Sequence, residues 1–487
     1  MTMKDSEVAR KMEEMTDTMI ISLMERLKKT DIKSDLGEDS STSSSSPQDQ
    51  MNEVLAFYDD SIEQLWKIAD NICKTSTAEE EHAGTIFMGS SGDGTYLPEI
   101  SDTYDTYVME EDSQFEMQED LEAIDSENAN EMGNSKNLLK VLPTEKSGFF
   151  LITWTEYGLQ LKAKHEAKQN PAQAEARVAK ERKEIAIFER LLEYTDEIQH
   201  EGKTLPVISP FKIRQGYLSN PPTSIQGYPV WFRMLDQNSP AITLLTEEFK
   251  QNDESIRKVQ VTDLVLGIRT TMPCLDHKWM EEKESSSKWL TKDLLSKLQE
   301  SKSFVVTKSW ESEQENLFIW RISYSVVERQ CIKFLPREPK ICLIIMKAIR
   351  RKFLSEPKGL VTYHLKTVLF YHLDKVGSDW EATDRARNIL VLLDALAGAL
   401  KNRSLPLFFE PGINTLGGMD EKTAAKLEMK TREILGSPRV LMSGILFQSM
   451  DESHRKEHFQ KGKEEVVVWF DEKPPEPKLF SDEDLKD

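Results

Sequence analysis

Apolar residues recur at helical spacing near the start of the chain, in NEVLAFYDDSIEQLWKIADNIC between residues 52 and 73. Positions three and four apart lie on one face of an α-helix, so this spacing predicts a long amphipathic helix with one buried side. The apolar positions are Val54, Phe57, Ile62, Leu65, Trp66, Ala69 and Ile72. We expect the folded body of the protein to begin with this helix.

Shorter apolar runs further along the chain predict strands. LLKVLPT and GFFLITWTEY are rich in strand-forming residues and flank a turn at EKSG. A third run, VQVTDLVLGIR, carries one carboxylate, Asp263, in its middle. Between these regions a helix is predicted from just after Pro171 to about Gln199, because proline fits the first turn of a helix.

From about Lys288 the pattern is mainly helical, as in KICLIIMKAIRRKFL and RARNILVLLDALAGALKN. The predicted fold class is therefore α+β, with a mixed strand and helix half followed by a helical half. We divide the chain into an N-terminal helix with a Ser-rich linker, a mixed core with an acidic insertion, a helical lobe and a polar tail. The ranges are 1–50, 51–287 with its insertion near 110–134, 288–450 and 451–487.

Charge and cysteine content narrow the choice of partners and compartment. A formal net charge of −21 argues against a general DNA binder, since binding to phosphates needs a surplus of Lys and Arg. The four cysteines form no C-x-x-C pair, which favours reduced thiols, buried as small apolar side chains. The N-terminus is charged and no apolar run is long enough to span a bilayer, so we expect a soluble cytoplasmic protein without membrane contact.

A glycine-rich segment, FMGSSGDG, follows the first predicted helix. Gly89 followed by Ser90 at a turn between a strand and a helix can bring backbone N–H groups and a hydroxyl close to a polyphosphate. Gly-Ser pairs are also common in ordinary turns. This segment by itself does not decide between a phosphate-binding loop and a simple turn.

Four aspartates are candidate metal ligands, namely Asp93, Asp102, Asp105 and Asp263. Phosphoryl or nucleotidyl transfer requires two or three carboxylates that converge on Mg²⁺. Asp102 and Asp105 are three positions apart, whereas carboxylates on one face of a strand are two apart. A solvated surface charge is the alternative for each, although Asp263 within an apolar strand is expected to have a specific role.

Several polar residues interrupt apolar segments of the second half of the chain. FIWRISYSVVERQ places Arg321, Ser323, Ser325 and Glu328 after a tryptophan at a transition from strand to helix. Arginine can bind phosphate or stack on a base, and serine can donate to a nucleotide; a capped helix is the alternative. Further on, Lys347, Thr362, Tyr363 and Lys366 lie on apolar helices, either lining a cleft or at helix edges.

Taken in order, these segments resemble the Mab (male-abnormal) domain family, which includes cyclic GMP-AMP synthase and the cGAS-like receptors. The segments that carry the resemblance are GSSGDGTYLPEISDTYD, SGFFLITW, VTDLVLGI, HKWMEE, KWLTKDLLSKL, FIWRISYSVVERQ, CLIIMKAIRRKF, TYHLKTVLFYHLD and PLFFEPGINTL. They run from about residue 51 to residue 416. The resemblance implies a bilobal nucleotidyltransferase fold with a long spine helix at 51–73, a twisted mixed β-sheet bearing the metal site and a C-terminal helical lobe.

The resemblance also implies an activity and a set of site residues. Active members bind ATP, GTP or other nucleotides between the lobes, use Mg²⁺ or Mn²⁺, and make a cyclic dinucleotide second messenger in innate immune sensing. By position, Asp105, Asp263 and Asp102 would be the catalytic metal ligands. Gly89, Ser90, Arg321, Ser323, Lys347, Thr362, Tyr363 and Lys366 would bind nucleotide.

Three departures from the family pattern keep an alternative open. The family motif has two acidic residues separated by one position, whereas Asp102 and Asp105 of SDTYDT are separated by two positions. A β-bulge at Thr103 or Tyr104 would therefore be needed for these two carboxylates to converge. Cys331 and Cys342 without a nearby histidine are too few for the family's zinc module, so no zinc is expected. The alternative is a catalytically weakened pseudoenzyme that acts as a nucleotide-binding or scaffolding module.

The third departure is the excess of acidic over basic residues, which argues against activation through a broad DNA-binding surface. RNA or another anion stays a candidate activating ligand because one basic set lies in the helical half. The set comprises Lys340, Lys347, Arg350, Arg351, Lys352 and Lys358. Solvated helix faces are the alternative explanation of such charges.

Overall fold

The computed structural model describes most of the predicted body of the chain. The described residues are 45–70, 86–87, 93, 95, 104–108, 124–125, 139–145, 148–167, 191–200, 202–219, 224–225, 228–235, 241–249, 257–270, 273–301, 303–307 and 318–443. Four short stretches of strand, β1 (Ile86–Phe87), β2 (Tyr104–Val108), β3 (Ile124–Asp125) and β8 (Ser224–Ile225), are described through their backbone pairing. Among the described residues, no helix combines the length and apolar character needed to cross a bilayer.

One large mixed sheet organises the first half of the chain. Its remaining strands are β4 (Leu139–Pro143), β5 (Phe149–Trp154), β6 (Thr195–His200), β7 (Lys203–Ile208), β9 (Tyr228–Leu235), β10 (Ala241–Phe249), β11 (Arg257–Thr270), β12 (Ser303–Thr307) and β13 (Trp320–Ser323). The order along the sheet is β3-β4-β5-β13-β12-β11-β10-β9-β8, with β1 and β2 joined through β11 and the β6–β7 hairpin joined through β5. Most pairs are antiparallel, and β2 runs parallel to β11. The predicted α+β class is confirmed at this level.

The long strand β11 connects three parts of this sheet. It pairs with β10 from Arg257 to Val265, with β2 from Thr262 to Leu266, and with β12 from Gly267 to Thr270. The apolar run that predicted this strand therefore does form one, and Asp263 lies in its middle, opposite Thr243 of β10. Because β11 is interior to the sheet, its position fixes β2 relative to the rest of the fold.

Helices precede, interrupt and follow the strands of this sheet, and those of the second half pack around a large apolar core. They are α1 (Pro47–Phe57), α2 (Glu156–Ala167), α3 (Pro210–Ser219), α4 (His277–Ser286), α5 (Lys292–Gln299), α6 (Ser325–Phe334), α7 (Arg337–Phe353), α8 (Thr362–Val376), α9 (Arg385–Asn402), α10 (Glu421–Gly436) and α11 (Val440–Ser443). A small hairpin, β14 (Pro406–Leu407) and β15 (Glu410–Asn414), follows α9. The buried stripes of α7, α8 and α9 agree with their apolar periodicity.

The long helix predicted at 51–73 is present as two consecutive helical segments up to residue 70, whereas the helix predicted near the start of the chain lies outside the described residues. After α1 the chain turns at Tyr58, and residues 59–70 are helical again. Ser46 caps α1 by accepting from the backbone N–H of Asp49. Met51, Val54 and Ile62 are buried in the same core as α7 to α9, so the segment packs on the helical half of the chain.

A second, smaller core lies under the sheet. Trp154 and Trp320 are both buried there with Ile208 and Leu191. The indole Nε1 of Trp320 donates to the carbonyl of Ile208 at 2.9 Å, which satisfies its polar group inside the core. The predicted β4–β5 hairpin forms, and Gly148 has the positive φ of 76° that its turn requires.

Three details differ from the sequence prediction. The predicted helix after Pro171 does not extend to Gln199, because Thr195–His200 form β6 and pair with β7. Hairpin pairing supplies backbone hydrogen bonds that local helical spacing does not reveal. Within the predicted acidic insertion, Ile124–Asp125 form β3 against β4, and the other residues of that insertion lie outside the described part of the chain.

The third difference concerns the change from strands to helices. The sequence places it at about residue 288, but β12 and β13 follow and belong to the large sheet. Both strands are short and almost wholly buried, and a short, fully buried apolar run has no alternation that separates a strand from a helix. From Ser325 to Asn402 the described elements are helices, and the small β14–β15 hairpin follows.

Candidate functional site

Asp105 and Asp263 occupy neighbouring positions on adjacent parallel strands. The register of β2 and β11 pairs Asp105 with Asp263, and Tyr104 with Thr262. Side-by-side residues of paired strands lie on the same face of a sheet, and neighbouring strands are about 4.8 Å apart. The backbone therefore brings together two of the three predicted metal ligands.

The third predicted ligand, Asp102, lies outside the described residues, as do Gly89 and Ser90 of the predicted phosphate loop. The pairing of β2 with β11 is unbroken from Tyr104 to Val108, so no bulge occurs at Tyr104 within this ladder. Thr103, the other proposed bulge position, is not among the described residues. The role of Asp102 stays a prediction.

Among the side chains that the structure describes, no three from His, Cys, Asp and Glu converge as a metal site. The structure describes Asp105 and Asp263 only through their backbone, so this statement about side chains does not include them. Cys274, Cys331 and Cys342 are buried free thiols, as predicted, and Cys73 lies outside the described part. Burial raises the pKa of the Cys274 thiol to about 12.

Four charged side chains form a buried network beside the glycine-rich segment. The Lys366 Nζ lies 2.6 Å from Oδ2 of Asp93 and 2.7 Å from Oε1 of Glu328. Asp93 is 0% exposed and Lys366 only 3%, so the Asp93–Lys366–Glu328 contacts are interior. They join Asp93, which follows the Gly-Ser pair, to helices α6 and α8.

Lys347 of α7 is the fourth member of this network. Its Nζ donates to the backbone carbonyl of Thr95 and lies 3.4 Å from the Thr95 hydroxyl. Thr95 in turn donates to Oδ1 of Asp93, from its backbone N–H at 2.9 Å and from its hydroxyl at 2.6 Å. We refer to Asp93, Thr95, Glu328, Lys347 and Lys366 as the buried charge network.

The pKa shifts within the buried charge network distinguish its two carboxylates. Burial raises the pKa of Asp93, but the charges of Lys366 and Lys347 outweigh that effect, so its net pKa is lowered. For Glu328 burial outweighs the attraction of Lys366, and its pKa is raised. Burial lowers the pKa of Lys366, but its two carboxylate neighbours raise it overall. The lowered pKa keeps Asp93 in its charged form beside Lys366.

Arg321 is a predicted nucleotide ligand with hydrogen-bonding capacity to spare. Its guanidinium carbon is 5.9 Å from the centroid of the Phe149 ring. Within the described part of the chain, its buried Nε has no hydrogen-bond partner. Burial raises the pKa of Tyr324 and of Tyr363, and the positive charge of Arg321 partly opposes both shifts. Both tyrosines are therefore uncharged near pH 7, and the Arg321 charge acts on each.

The predicted serine and threonine ligands lie at the ends of these elements. Ser323 ends β13, and its hydroxyl accepts from the backbone N–H of Ser325 at 3.4 Å, a local contact at the start of α6. Thr362 is the first residue of α8 and is half-buried. Tyr363 is the next residue along α8, one turn before Lys366.

The predicted basic face of the helical half is smaller than expected. Lys347 is only 2% exposed and Arg350 is also buried, with Nη1 3.3 Å from the carbonyl of Leu360. These two cations therefore do not belong to a surface that could bind RNA. The physical reason is that α7 crosses the interior of the helical core and is buried on most of its circumference.

The sequence did not predict that Lys366 pairs with Asp93 and Glu328, or that Thr95 belongs to the same network. A signal for Glu328 was available, because it stands among Val327, Cys331 and Ile332 on the buried face of α6. A carboxylate on such a face requires a buried cationic partner. Nothing local in the sequence identifies that partner, since Lys366 is 38 residues further along the chain and on another helix.

A family model matches part of the helical half. Residues 338–433 match the Mab-21 protein HhH/H2TH-like domain. The matched range begins at the first turn of α7 and ends in α10, so it includes Lys347 and Lys366. The mixed α+β fold is consistent with a nucleotidyltransferase-like domain of this kind.

Two curated proteins give further similarity. The chain is 26% identical over 167 residues to cyclic GMP-AMP synthase-like receptor 3 of Stylophora pistillata, covering 32% of this chain and 48% of that receptor. It is 24% identical over 134 residues to the cyclic GMP-AMP synthase-like receptor of Trichogramma pretiosum, covering 27% of each. The matched segments thus span less than half the length of these relatives.

The two kinds of similarity agree with the order of motifs and with the α+β fold. The domain match covers part of the helical half, and the relatives are named as cyclic GMP-AMP synthase-like receptors, at modest identity. Residues 338–433 of this chain are therefore similar to a Mab-21 HhH/H2TH-like domain, and parts of the chain are similar to cyclic GMP-AMP synthase-like receptors at modest identity.

Proposed function

We propose that the chain is a metal-dependent nucleotidyltransferase of the cyclic dinucleotide synthase type. It binds ATP and GTP, or other nucleoside triphosphates, with Mg²⁺ or Mn²⁺, and its product acts as a second messenger in innate immune sensing. The observation that carries the proposal is the register that pairs Asp105 with Asp263. The names of the two curated relatives support the same class of activity.

The residues present fit a hard divalent cation. Mg²⁺ prefers carboxylate oxygens, and Asp105 and Asp263 hold neighbouring positions on one face of the sheet, with Asp102 as the third candidate. When bound, such an ion supplies Lewis-acid chemistry and neutralises phosphate charge. Arg321 supports nucleotide binding, because its Nε has no protein hydrogen-bond partner in the described part of the chain.

Purified protein incubated with labelled ATP and GTP, Mg²⁺ or Mn²⁺, and RNA or DNA as candidate activators tests the activity. We expect a cyclic dinucleotide, and we expect Asp263→Asn to slow its formation by roughly a hundredfold or more, a loss typical when one electrostatic group is removed from a reacting centre. Asp394→Asn, on the exposed side of α9, is the matched control and should retain full activity.

Two results would contradict the proposed activity. One is the absence of product under every combination of metal and activator. The other is an Asp263→Asn variant that melts at the temperature of the wild-type protein and turns over at the same rate. We assign this activity to the cytoplasm, where nucleoside triphosphates are available and where buried, unpaired thiols such as Cys331 and Cys342 stay reduced.

A second candidate is a catalytically weakened protein of the same fold that binds nucleotide or acts as a scaffold. The observation that favours it is the internal engagement of Lys347 and Lys366, two of the predicted nucleotide ligands. Titration calorimetry with and without Mg²⁺ separates the candidates. Affinity that does not depend on metal, together with no turnover, favours the scaffold.

A further inference from the structure

The buried charge network connects the glycine-rich segment to three helices of the second half. Lys366 of α8 contacts Asp93 at 2.6 Å and Glu328 of α6 at 2.7 Å, and Lys347 of α7 donates to the Thr95 carbonyl. The charged groups are two lysines and two carboxylates. Their formal charges balance, so the network leaves no surplus positive charge for a polyphosphate.

Burying four ionisable groups is favourable only if they satisfy one another. An isolated charge in a protein interior loses much of its solvation free energy, of which close pairing returns a large part. Asp93 uses both of its carboxylate oxygens, Oδ2 toward Lys366 and Oδ1 toward Thr95. Removal of Lys366 from Asp93 by a ligand would leave that carboxylate buried without its main cationic partner.

We propose that Lys366 is a positioning residue that holds the glycine-rich segment in place through Asp93, and that it does not contact the nucleotide. The inference rests on the proposed function and narrows it, because it reassigns one of the predicted nucleotide ligands. Asp93 and Thr95 follow Gly89 and Ser90 closely in GSSGDGT. Two anchors, Lys366 on α8 and Lys347 on α7, hold these alternate positions.

The two possible roles of Lys366 predict opposite effects of Asp93→Asn. If Lys366 binds the triphosphate directly, Asp93 competes with the ligand, and removal of its charge should tighten nucleotide binding. If Lys366 positions the segment, Asp93→Asn should weaken binding by roughly tenfold or more, since misplacement of a binding group by about 1 Å has effects of this size. Asparagine keeps the oxygen that accepts from Thr95, so the variant should fold.

The experiment measures the Kd of a non-hydrolysable ATP analogue with Mg²⁺ for the wild-type protein and for three variants. They are Asp93→Asn, Lys366→Met and the double variant. We expect each single variant to weaken binding and the double variant to be little worse than Lys366→Met, because both changes break one contact. An unchanged or tighter Kd for Asp93→Asn overturns the proposal, as does full additivity of the two changes.

The chain offers a matched control in the ion pair of Lys283 and Asp374. Its Nζ to Oδ2 distance is also 2.6 Å and both side chains are largely buried, but it lies among the aromatic rings of Trp279, Tyr371 and Phe408. Asp374→Asn should lower the melting temperature, as Asp93→Asn does, and leave the Kd unchanged. An equal loss of affinity in both variants would attribute the effect to stability and overturn the proposal.

Hydrogen exchange separates this inference from the proposed function. Peptides that contain residues 89–95 should exchange faster in Asp93→Asn and Lys366→Met than in the wild-type protein, with no change in Asp374→Asn. This measurement needs no nucleotide, so it remains decisive if the wild-type protein binds none. Unchanged exchange of these peptides in both network variants overturns the anchoring role.

Discussion

Lys366 and Lys347 are long cationic side chains whose charged ends lie in the interior of the protein. Each stands on an apolar helix, and the sequence indicates only that such a residue lines a cleft or lies at a helix edge. The structure shows that each reaches the glycine-rich segment and contacts Asp93 or Thr95. At the scale of single residues, a charge on a buried helix face is thus a reliable signal of a specific partner.

A second buried polar residue, His372, predicts a dependence of stability on pH. Burial lowers its pKa, and Lys375 and Arg387 lower it further, while its Nε2 lies 3.3 Å from Oδ1 of Asn388. A histidine with a lowered pKa binds fewer protons when folded than when unfolded. Its contribution to stability is therefore present above the unfolded pKa near 6.5 and is lost as the pH falls below it.

We expect denaturant unfolding to show a smaller decrease in stability from pH 7.5 to pH 5.5 in His372→Gln than in the wild-type protein. Glutamine keeps a donor toward Asn388 and does not titrate. His277→Gln is the control, because His277 lies on the exposed surface of α4, and its decrease should match that of the wild-type protein. Equal decreases in the wild-type and His372→Gln proteins would show that His372 does not titrate differently on folding.

At the scale of elements, side chains at helix ends and between helices fix the helical half. Asp276, Thr291 and Asp420 each cap a helix by accepting from backbone N–H groups of its first turn. Between helices, the Arg385 guanidinium of α9 binds Glu338 at the start of α7 through two hydrogen bonds, at 3.0 and 3.1 Å. Caps are recognisable from sequence, whereas contacts between helices are not.

The Arg385–Glu338 pair should be costly to break on one side only. Both side chains are largely buried, so Arg385→Met leaves an unpaired carboxylate and should lower the free energy of unfolding by about 3–5 kcal/mol. Replacement of both residues by Met should restore most of the loss, because no buried charge remains. Denaturant unfolding followed by circular dichroism measures both changes.

The exposed pair of Arg432 and Asp394 is the control for this prediction. It also links two helices, α9 and α10, but water solvates both partners, so Asp394→Asn should cost less than about 1 kcal/mol. If Arg385→Met costs no more than Asp394→Asn, the buried pair does not hold α7 and α9 together.

At the scale of the whole molecule, one apolar core joins the N-terminal helical segment to the helical half. Met51 and Ile62 are packed in the same cluster as Leu343, Leu369 and Leu393. Polar contacts accompany this packing, including Tyr58 Oη donating to the Leu441 carbonyl at 3.2 Å. We expect the helices in this core to unfold as a single cooperative unit.

The reactivity of three buried thiols can be used to follow the unfolding of this core. Cys274, Cys331 and Cys342 belong to the same core, and burial raises the pKa of each, so little thiolate is present at pH 8. In a Cys73→Ser variant we expect no rapid reaction with a thiol reagent under native conditions. Three thiols should become reactive at the denaturant concentration at which the helical signal is lost.

Mass spectrometry of the labelled peptides identifies which thiol reacts. Labelling of one thiol well before loss of the helical signal would contradict cooperative unfolding of this core. The wild-type protein serves as the comparison, because it differs from the variant only at position 73.

The sequence by itself determined the local elements. The 3.6-residue periodicity predicted the N-terminal helix and the helices of the second half, and the apolar run around Asp263 predicted β11. It also selected Asp105 and Asp263 as candidate ligands through the resemblance of ordered motifs. These features depend on neighbouring residues, which periodicity and turn chemistry describe well.

Only the tertiary structure decided how distant segments meet. The alignment of Asp105 with Asp263 depends on the register between β2 and β11, and the pairing of Lys366 with Asp93 depends on how α8 packs against the glycine-rich segment. The change of Thr195–His200 from a predicted helix to β6 likewise required β7. Register and side-chain pairing are non-local properties, because they arise from contacts between segments that are far apart in the sequence. The number of residues between two such segments does not tell how close they lie in space.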